Sequence, residues 1–574
     1  MYDVLFITPN VDGSFLMEPL GTLLLATILK NNGIKCKVVP FGRISNVRDF
    51  DSFIDNALAL VDETQPKIVS MYTRCDSYHI SLRLAEKIKA HRSDIYIVFG
   101  GPQSDTTSSD VISQIPYVDY VCCGEGETTI YPFFSSLLRG EPDLSIPGLV
   151  YRHNDEIVKN PRPELVKDLD LLPMIDFKST FLSDYPEDIK SQVFRIDVGR
   201  GCPFGCAYCS TQAFWGRKYR LKSPARIVEE VKEAHREFGV TQFSFTHDMF
   251  TFNRKTVIET CNLIRELDFP ITWHCSARLD CLDTELIDIM VDAGMVNVFV
   301  GIETGSNRMQ KLVHKNLKLD KVMDLLIYLR DKGVDVDTSF VYGFPQETYE
   351  DLSQTLSLMS KIVYNRCGII NTHLCTFLPK TELSEVYQDQ LTRTYNYSNF
   401  TGDIAIKECG DIIDNYPSLF PQLMEYKTEL RSRLKYFDIF MQVWMRIRPI
   451  YQYISEKYPE SELINMYFDF VDANREALEK YEHLRLRDAA KNVACEDKFH
   501  LRFENDPDYD LVSDCYRMYR TELSDELKNG NSLTEIYCFD PRERKRVCRI
   551  QEYNRCIAIV NYVDGKMIIA TNPL

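Results

Sequence analysis

Two successive series of strand and helix patterns constrain the fold of this chain more than any other feature. The first series spans residues 1–145, and its strands are continuous apolar runs such as DVLFITP and IYIVFGG. Apolar runs of this kind, separated by helices, indicate a parallel sheet that helices cover on both faces. Ligands of such sheets bind at the carboxyl ends of the strands. We therefore expect the polar, Gly-containing loops after these strands to form a binding site.

The second series spans residues 191–400. Six apolar strand patterns alternate with helices, from FRIDVGRGC at the start to NTHLCTFLP at the end. Six units are enough for a partial barrel but too few for the closed barrel of eight. We predict a partial (β/α)6 TIM-like barrel, with its active site at the carboxyl ends of the strands.

The remaining segments have different patterns. Residues 146–190 are rich in proline, and we predict a linker there. Long charged helical patterns dominate from residue 401, so we predict a mainly α-helical C-terminal domain over 401–574 that caps the barrel. The end of the chain has the pattern of a hairpin around Asp564–Gly565. The fold class is α/β, with a Rossmann-like domain at the N-terminus.

Charge and hydropathy exclude several classes of protein. The net charge of the 574 residues is −17, whereas nucleic-acid binding usually requires a basic face, so we expect no nucleic-acid partner. No apolar run reaches the roughly 20 residues that cross a bilayer. The start, MYDVLFITP, lacks the basic residues and cleavage site of a signal peptide. We expect a cytoplasmic protein without a membrane span.

One group of cysteines has the spacing of metal ligands. The loop GRGCPFGCAYCS places Cys202, Cys206 and Cys209 within eight residues, directly after a strand. Structural zinc sites normally need four ligands, and no other C-x-x-C pair exists in the sequence. Three thiolates can hold an iron–sulfur cube and leave one iron open for a substrate. A degenerate zinc loop is the alternative.

This loop, with Tyr208 before its last cysteine, resembles the signature of the radical S-adenosylmethionine (SAM) superfamily. The resemblance covers the predicted barrel. It implies that the three cysteines hold a [4Fe–4S] cluster whose open iron binds SAM. Reductive cleavage of SAM then yields a 5′-deoxyadenosyl radical, with an electron supplied by a donor such as flavodoxin or ferredoxin.

The resemblance also implies contacts with SAM at the ends of the barrel strands. Glu303 has a carboxylate that can accept bonds from an ammonium or a ribose hydroxyl, and Arg278 could hold a carboxylate. A helix cap or a structural ion pair is the alternative role for each residue. The expected SAM contacts are Tyr208, Thr246, Asp248, Ser276, Arg278, Glu303, Gly343 and Pro345.

The N-terminal motifs LGTLLLATILKNNG, GGPQSD and DYVCCGEGETT together resemble the cobalamin-binding domain that precedes this barrel in some enzymes. Glycines let the backbone approach a flat ligand closely. The motif D-x-H-x-x-G is missing, which implies that no histidine binds the lower face of the corrin by that motif. A sheet that has lost its cofactor is the alternative. The expected cobalamin contacts are Pro9, Asn10, Leu20, Gly21, Thr73, Arg74, Gly100, Gly101, Pro102, Gly124, Glu125 and Gly126.

The two resemblances together imply a cobalamin-dependent radical SAM C-methyltransferase, similar to class B, acting on an unactivated carbon of a peptide or natural product. A rearrangement, cyclisation or ring contraction needs the same parts and stays open. A methylthiotransferase, with a second cluster on Cys36, Cys75 and Cys122 or Cys123, and a non-catalytic cofactor-binding protein are further alternatives. Cys375, at the end of the sixth strand, is a candidate hydrogen donor, with a buried structural thiol as its alternative.

Overall fold

The fold is given by a computed structural model. It describes residues 1–11, 19–154, 156–180, 192–365, 367–393, 404–446, 458–482 and 486–493, together with four strands, at 533–540, 545–552, 556–563 and 566–573.

The N-terminal domain is built on a seven-stranded sheet with the order β2-β1-β3-β4-β5-β6-β7. The first five strands are parallel and the last two are antiparallel, which confirms the Rossmann-like prediction. The sheet continues past residue 145, because two strands lie within the segment for which we predicted a linker. The strands are β1 (Val4–Thr8), β2 (Cys36–Pro40), β3 (Ile68–Tyr72), β4 (Tyr96–Gly100), β5 (Tyr120–Cys122), β6 (Leu149–His153) and β7 (Glu156–Lys159).

The second domain contains a six-stranded, wholly parallel sheet, which confirms the partial (β/α)6 barrel. Its order is β15-β14-β13-β12-β11-β8, and a short antiparallel ribbon, β9 with β10, follows its first strand. The strands are β8 (Phe194–Asp197), β9 (Gly199–Arg200), β10 (Arg220–Leu221), β11 (Gln242–Thr246), β12 (Thr272–Ala277), β13 (Met295–Glu303), β14 (Asp335–Tyr342) and β15 (Ile369–Leu374).

Side-chain caps begin several of the helices. Ser223 accepts a hydrogen bond from the Arg226 amide, and Thr348 forms a reciprocal capping box with Asp351. Among the described residues, no helix is long and apolar enough to cross a membrane. The helices are Leu20–Asn31, Phe41–Ile44, Phe50–Thr64, Tyr78–His91, Pro102–Thr106, Ser108–Gln114, Ile130–Arg139, Phe177–Thr180, Thr211–Trp215, Pro224–Phe238, Arg254–Arg265, Thr284–Asp292, Asn307–Leu312, Val322–Asp331, Tyr349–Tyr364, Glu382–Tyr387, Gly410–Asn415, Glu429–Arg433, Phe437–Arg446, Ile464–Ala473, Arg475–Tyr481 and Leu486–Val493.

After the barrel the chain returns to the N-terminal domain. Residues 404–423, here called the return segment, pack on the face of the N-terminal sheet that lies away from the barrel helices. The Phe420 ring lies 5.8 Å from the Tyr78 ring, and the Gln103 side-chain amide donates to the Leu419 carbonyl at 2.9 Å. This segment therefore covers the N-terminal domain instead of capping the barrel.

The following helices pack against the last barrel strands. The Phe437 ring lies 4.4 Å from the Tyr342 ring, at the end of β14. A two-stranded ribbon, β16 (Leu391–Arg393) with β17 (Met424–Tyr426), flanks the return segment. The chain ends in an antiparallel sheet of β18 (Leu533–Asp540), β19 (Lys545–Glu552), β20 (Cys556–Val563) and β21 (Lys566–Pro573). The pairing of β20 with β21 confirms the predicted hairpin, while β18 and β19 were not predicted.

Candidate active site between the two sheets

A single cavity of about 1050 Å³ lies between the carboxyl ends of the two parallel sheets. The loops after β4 and β5 form one wall, and the cysteine loop with the ends of the barrel strands forms the opposite wall. Most of the residues predicted for the cofactors line this cavity. They are Leu20, Gly21, Gly100, Gly101, Pro102, Gly124, Glu125, Gly126, Cys202, Cys206, Tyr208, Cys209, Thr246, Asp248, Ser276, Arg278 and Glu303.

The cysteine loop is held in place by its backbone. Gly201 has a φ of 81°, and a Cβ atom there would collide with the Lys218 carbonyl oxygen, so this position requires glycine. The Ala207 amide donates to the Val313 carbonyl at 3.0 Å, and the Ala207 carbonyl accepts from the Leu383 amide at 3.1 Å. The loop is therefore fixed to the barrel on two sides.

The three cysteine side chains suit a polynuclear centre better than a single ion. Cys202, Cys206 and Cys209 all reach the same cavity. Structural zinc sites normally take four ligands, whereas three thiolates can each bind a different iron of one iron–sulfur cube. Burial raises the pKa of the Cys202 thiol to about 11, and a bound metal would favour the deprotonated thiolate.

The Arg278 guanidinium forms hydrogen bonds and an ion pair with other residues of the chain. Its Nε and Nη2 donate to the two Asp280 carboxylate oxygens at 2.9 and 2.8 Å, and Nη2 also donates to the Lys315 carbonyl at 2.7 Å. The guanidinium lies 3.9 Å from the centre of the Phe204 ring, and its Nη1 is 4.0 Å from Cys206 Sγ. The structural ion pair that was the alternative role of Arg278 is thus present, with Asp280 as its partner. The remaining donor, Nη1, faces Cys206 in the cluster loop.

Glu303 is paired with a lysine that sequence analysis did not identify. The Lys315 ammonium lies 3.0 Å from Glu303 Oε1, both residues are 7% exposed, and both line the cavity. Glu303 follows a register shift in β13 and has a φ of 70°, so local strain aims its carboxylate. No motif marks Lys315. It lies between His314 and Asn316, which both have left-handed backbone conformations.

The end of β11 places polar groups beside the cysteine loop. Burial raises the pKa of the Asp248 carboxyl, and a hydrogen bond with the Gly201 backbone partly opposes this shift. Burial also lowers the pKa of His247 to about 4, so the ring is neutral. Its Nδ1 accepts a hydrogen bond from the Met249 amide at 2.7 Å.

Three predicted residues of the barrel lie outside the cavity lining. Gly343 is locked by its backbone, since its amide donates to Glu347 at 2.6 Å and its carbonyl accepts from Arg431 at 2.6 Å. The loop contacts the cavity wall through Phe344, whose ring lies 5.9 Å from the ring of the cavity-lining Tyr208. The remaining two are Pro345, in the same loop, and Cys375.

Cys375 is a buried structural thiol in this structure. It packs in a small apolar cluster with Met309, Val313 and Phe344, and burial raises its pKa to about 12. This packing agrees with the alternative given for Cys375, a buried structural thiol, and the residue does not line the cavity. The role as a hydrogen donor stays a prediction.

In the N-terminal domain the glycine loops approach the cavity as predicted. Gly101 has a φ of 97°, and a Cβ atom there would lie 2.8 Å from the Thr73 carbonyl oxygen. Thr73 itself is buried and donates to the Gly100 carbonyl at 2.9 Å, while Arg74 pairs with Asp76. Within this domain, the predicted cobalamin contacts that do not line the cavity are Pro9, Asn10, Thr73 and Arg74.

Glu125 uses its side chain to contact the barrel. Arg200 Nη1 and Arg220 Nη2 donate to Glu125 Oε1 at 2.8 and 2.7 Å. Burial alone would raise the pKa of Glu125, but the hydrogen bonds from Arg220 and Arg200 hold it below its ordinary value. The carboxylate is therefore ionised and occupied, which leaves the backbone of Glu125 as the part that can contact a ligand.

The cavity between the glycine loops suits a broad, flat ligand. The loop backbones at Gly100, Gly101, Gly124 and Gly126 form the wall with few side chains. His79 points elsewhere, because it is buried and its Nε2 lies 2.7 Å from the Ile404 carbonyl in the return segment. These residues fit cobalamin without a histidine from that position.

A row of polar side chains on the inner face of the barrel was not predicted. Arg195, Ser244, His274 and Asn297 are register partners across β8, β11, β12 and β13 and all line the cavity. The Asn297 amide donates to Asp337 on β14 at 3.0 Å. Closed barrels usually fill this position with branched apolar residues.

Comparison with known families matches both domains. Residues 196–359 match the Radical SAM superfamily, and residues 12–132 match the B12 binding domain.

Several individual proteins are similar to this chain. An uncharacterised methyltransferase of Pyrococcus horikoshii is 26% identical over 386 residues, which cover 67% of this chain and 81% of that protein. An anaerobic magnesium-protoporphyrin IX monomethyl ester cyclase of Cereibacter sphaeroides is 25% identical, over 59% of this chain and 56% of that protein.

Two solved structures share the fold. The radical SAM methyltransferase TsrM of Kitasatospora setae, with tryptophan and a SAM analogue bound, has a TM-score of 0.57 and 17% identity, over 68% of this chain and 78% of that chain. The cobalamin-dependent SAM radical enzyme OxsB, with aqua-cobalamin bound, has a TM-score of 0.58 and 15% identity, over 92% of this chain and 81% of that chain.

Proposed function

We propose that this chain, a cobalamin-dependent radical SAM enzyme formed of a B12-binding domain and a radical SAM domain, methylates a carbon atom of a polar substrate. Its cofactors are a [4Fe–4S] cluster, SAM and cobalamin. When bound, the cluster supplies the electron that cleaves SAM, and cobalamin supplies a cobalt centre that can carry a methyl group.

We assign the residues to the cofactors by the wall on which they lie. Cys202, Cys206 and Cys209 would hold the cluster, and the glycine loops after β4 and β5 would hold cobalamin. The groups that would hold SAM lie between them, at the ends of the barrel strands. They are Thr246, Asp248, Ser276, Glu303 and Lys315.

The chain contributes binding, orientation and exclusion of water. Glu303 and Lys315 form a buried pair that can exchange partners with the ribose hydroxyls and the carboxylate of SAM. Tyr208, packed on Phe344, closes the wall beside the cluster loop. Two domains wall the cavity, and bound cofactors would fill it and so keep solvent from a reactive radical.

The observation that supports methyl transfer is the single cavity shared by both sets of loops. An enzyme that used cobalamin only as a scaffold would have no need for the glycine loops to face the cluster across a common space. Here the loops at Gly101 and Gly124 and the cluster loop line the same cavity.

Anaerobic reconstitution tests this function. The full chain loaded with iron, sulfide and cobalamin should convert SAM to both 5′-deoxyadenosine and S-adenosylhomocysteine, with reduced flavodoxin as electron donor. Cys202→Ala should abolish the 5′-deoxyadenosine, whereas Cys281→Ala, a half-buried thiol outside the cavity, should not. The absence of both products from the loaded wild-type chain would refute the enzyme assignment.

A second candidate is ring formation without methyl transfer. The similarity to the magnesium-protoporphyrin IX monomethyl ester cyclases favours it. The same assay separates the two reactions, because a cyclase would release 5′-deoxyadenosine, formed when the radical takes a hydrogen atom from the substrate, without S-adenosylhomocysteine.

The polar row inside the barrel supports a hydrophilic substrate, such as a peptide or a polar natural product. Arg195, Asn297 and Asp337 offer charges and hydrogen bonds, and the buried Nε2 of His274 has no partner among the described residues. Leaving such groups unpaired against an apolar substrate is costly. Aqueous extracts of cells that produce the chain should therefore stimulate S-adenosylhomocysteine formation. Stimulation only by the lipid extract of the same cells would contradict this substrate class.

A further inference from the structure

We propose that Glu125, Arg200 and Arg220 form an ion-pair clamp that fixes the cobalamin loop against the cluster loop, so that all three act as positioning residues. The inference rests on the proposed function, in which a methyl group or a radical passes between the two centres. It assigns to Glu125 a role different from direct cofactor binding.

The position of these residues in the chain makes them suited to this role. Glu125 lies in the glycine loop after β5, between Gly124 and Gly126, which both line the cavity. Arg200 ends β9, two residues before the first cluster cysteine, and Arg220 pairs with it across the ribbon in β10. A contact between these side chains therefore joins the two loops by a very short path.

The contacts leave little freedom. Arg200 and Arg220 both donate to Glu125 Oε1, at 2.8 and 2.7 Å, and Arg220 Nη1 donates to Oε2 at 3.0 Å. The Glu125 side chain is 1% exposed and that of Arg200 is 8% exposed. Arg200 also pairs with Glu127 at 2.6 Å. A forked guanidinium on a carboxylate fixes direction as well as distance.

Neighbouring groups reinforce the clamp. The Trp215 ring lies under both guanidinium groups, with centroid distances of 5.8 Å for Arg200 and 5.6 Å for Arg220. Asp105 makes a second set of contacts to the same loop. Its carboxylate accepts a hydrogen bond from the Gly124 amide at 2.8 Å and pairs with Arg162. The glycine loop is thus held from two sides.

The arrangement is better explained by geometry than by stability. Replacing a buried ion pair by apolar side chains is often neutral or stabilising, so burial of the four charged groups Glu125, Glu127, Arg200 and Arg220 calls for another benefit. Transfer between two bound centres depends steeply on their separation, and a misplacement of about 1 Å can cost roughly 100-fold in rate. A clamp that joins the two loops directly sets that separation.

The test uses two substitutions at one position. Glu125→Gln removes the charge and Glu125→Asp keeps it on a shorter side chain, and Glu285→Gln is the control at an exposed ion pair with Arg254. Each full-length variant is loaded with cluster and cob(II)alamin, and the magnetic interaction between the reduced cluster and cobalt is measured by electron paramagnetic resonance. We expect both Glu125 variants to bind both cofactors, with an altered and broader interaction.

In the same variants S-adenosylhomocysteine formation should fall about 10- to 100-fold, while the KM for SAM in 5′-deoxyadenosine formation stays unchanged. An interaction identical to that of the Glu285→Gln control would overturn the proposal. Loss of cobalamin with retention of the cluster would also overturn it, because Glu125 would then be a ligand of the cofactor.

Hydrogen exchange on the cofactor-free chain separates this inference from the proposed function. Both Glu125 variants should exchange faster than wild type in peptides covering 124–127 and 199–221, with β12 and β13 unchanged. Unchanged exchange in a folded variant would refute the clamp, whatever reaction the enzyme catalyses.

Discussion

Single side chains determine which charges the wall of the cavity presents to SAM. Glu303 and Lys315 neutralise each other in a buried pair, and Arg278 is neutralised by Asp280. Buried charges are tolerated when they are paired, so each pair can open only if a ligand replaces the lost partner. We propose that the Glu303–Lys315 pair opens for a ligand that carries both an anionic and a hydroxyl group.

Lys315→Met should therefore weaken the use of SAM. Glu303 would keep its charge without a partner, and the contact of the ammonium with the SAM carboxylate would be lost. We expect kcat/KM for 5′-deoxyadenosine formation to fall about 10- to 100-fold. Lys311→Met, at an exposed position in the preceding helix, is the control. Equal kcat/KM values in the two variants would contradict this role.

The residues of the site were predicted unevenly from the sequence. Cys202, Cys206 and Cys209 were visible because ligands of one centre are close together in the loop. Lys315 was not visible, since it reaches Glu303 only through the left-handed turns at its two neighbours. The polar row of the barrel was also missed, because its members are single polar residues in otherwise apolar strands.

At the scale of elements, glycines at strand ends let the backbone approach the cavity. Gly101→Ala should destabilise the cofactor-free chain by about 1–3 kcal/mol, because the added Cβ meets the Thr73 backbone at 2.8–2.9 Å in a left-handed conformation. Cobalamin binding should weaken with it. Gly410→Ala is the matched control, since a Cβ at Gly410 meets nothing within 4 Å and this residue does not line the cavity. Thermal unfolding and cobalamin titration would check both variants, and equal behaviour would contradict the requirement for glycine.

The loop after β14 makes the stability of the chain depend on pH. Burial raises the pKa of Glu347 to about 8, the Gly343 amide and Arg431 oppose this shift, and Asp351 adds to it. The folded state thus binds a proton more tightly than the unfolded state, whose Glu347 titrates near its ordinary pKa. The contribution of Glu347 to stability should therefore fall as pH rises from about 5 to 8.

Glu347→Gln should remove much of this dependence. Glutamine keeps the acceptor for Gly343 without a charge, so the variant should be more stable than wild type by about 1–3 kcal/mol at pH 8, with a smaller difference at pH 5. Thermal unfolding at the two pH values measures the effect, with the exposed Glu350→Gln as control. A stability difference between Glu347→Gln and wild type that is the same at pH 5 and pH 8 would contradict the assignment.

The elements themselves were largely predictable. The parallel strands of the N-terminal sheet are buried on both faces, so their sequences are apolar runs that stand out between helices. The barrel strands keep a buried apolar residue at every second position, which also marks them as strands. By contrast, β6 and β7 were assigned to a linker because they are short strands at one side of the sheet. The last two residues of β6 are exposed, and β7, the edge strand, has no buried residue. Edge strands of this kind carry little hydrophobic signal.

At the scale of the whole molecule, the return segment brings the chain back from the end of the barrel to the N-terminal domain. Its helix, Gly410–Asn415, has an apolar face that predicts burial, but no sequence pattern says which surface covers it. The contact is long-range, since Gln103 and Tyr78 meet residues near position 420. Such contacts depend on packing between parts of the chain that are distant in sequence. We placed a domain boundary at residue 401 and therefore did not predict them.

Phe420→Ala should loosen the N-terminal domain while leaving the barrel intact. The side chain is 1% exposed, so its truncation should cost about 3–5 kcal/mol. Hydrogen exchange should then rise in the helices at 78–91 and 108–114 but not in the strands of the barrel. Val386→Ala, at a side chain 61% exposed, is the control. Faster exchange confined to the barrel would contradict this packing.

The return segment also sets an order of events during translation. The strands of the N-terminal domain leave the ribosome first, but the residues that cover one of their faces follow only after the entire barrel has been made. Until then the apolar surface around Tyr78 stays open to solvent and to other nascent chains. A chaperone that binds this surface would therefore be released only when residues 404–423 arrive, and its release would coincide with a barrel ready to receive its cluster.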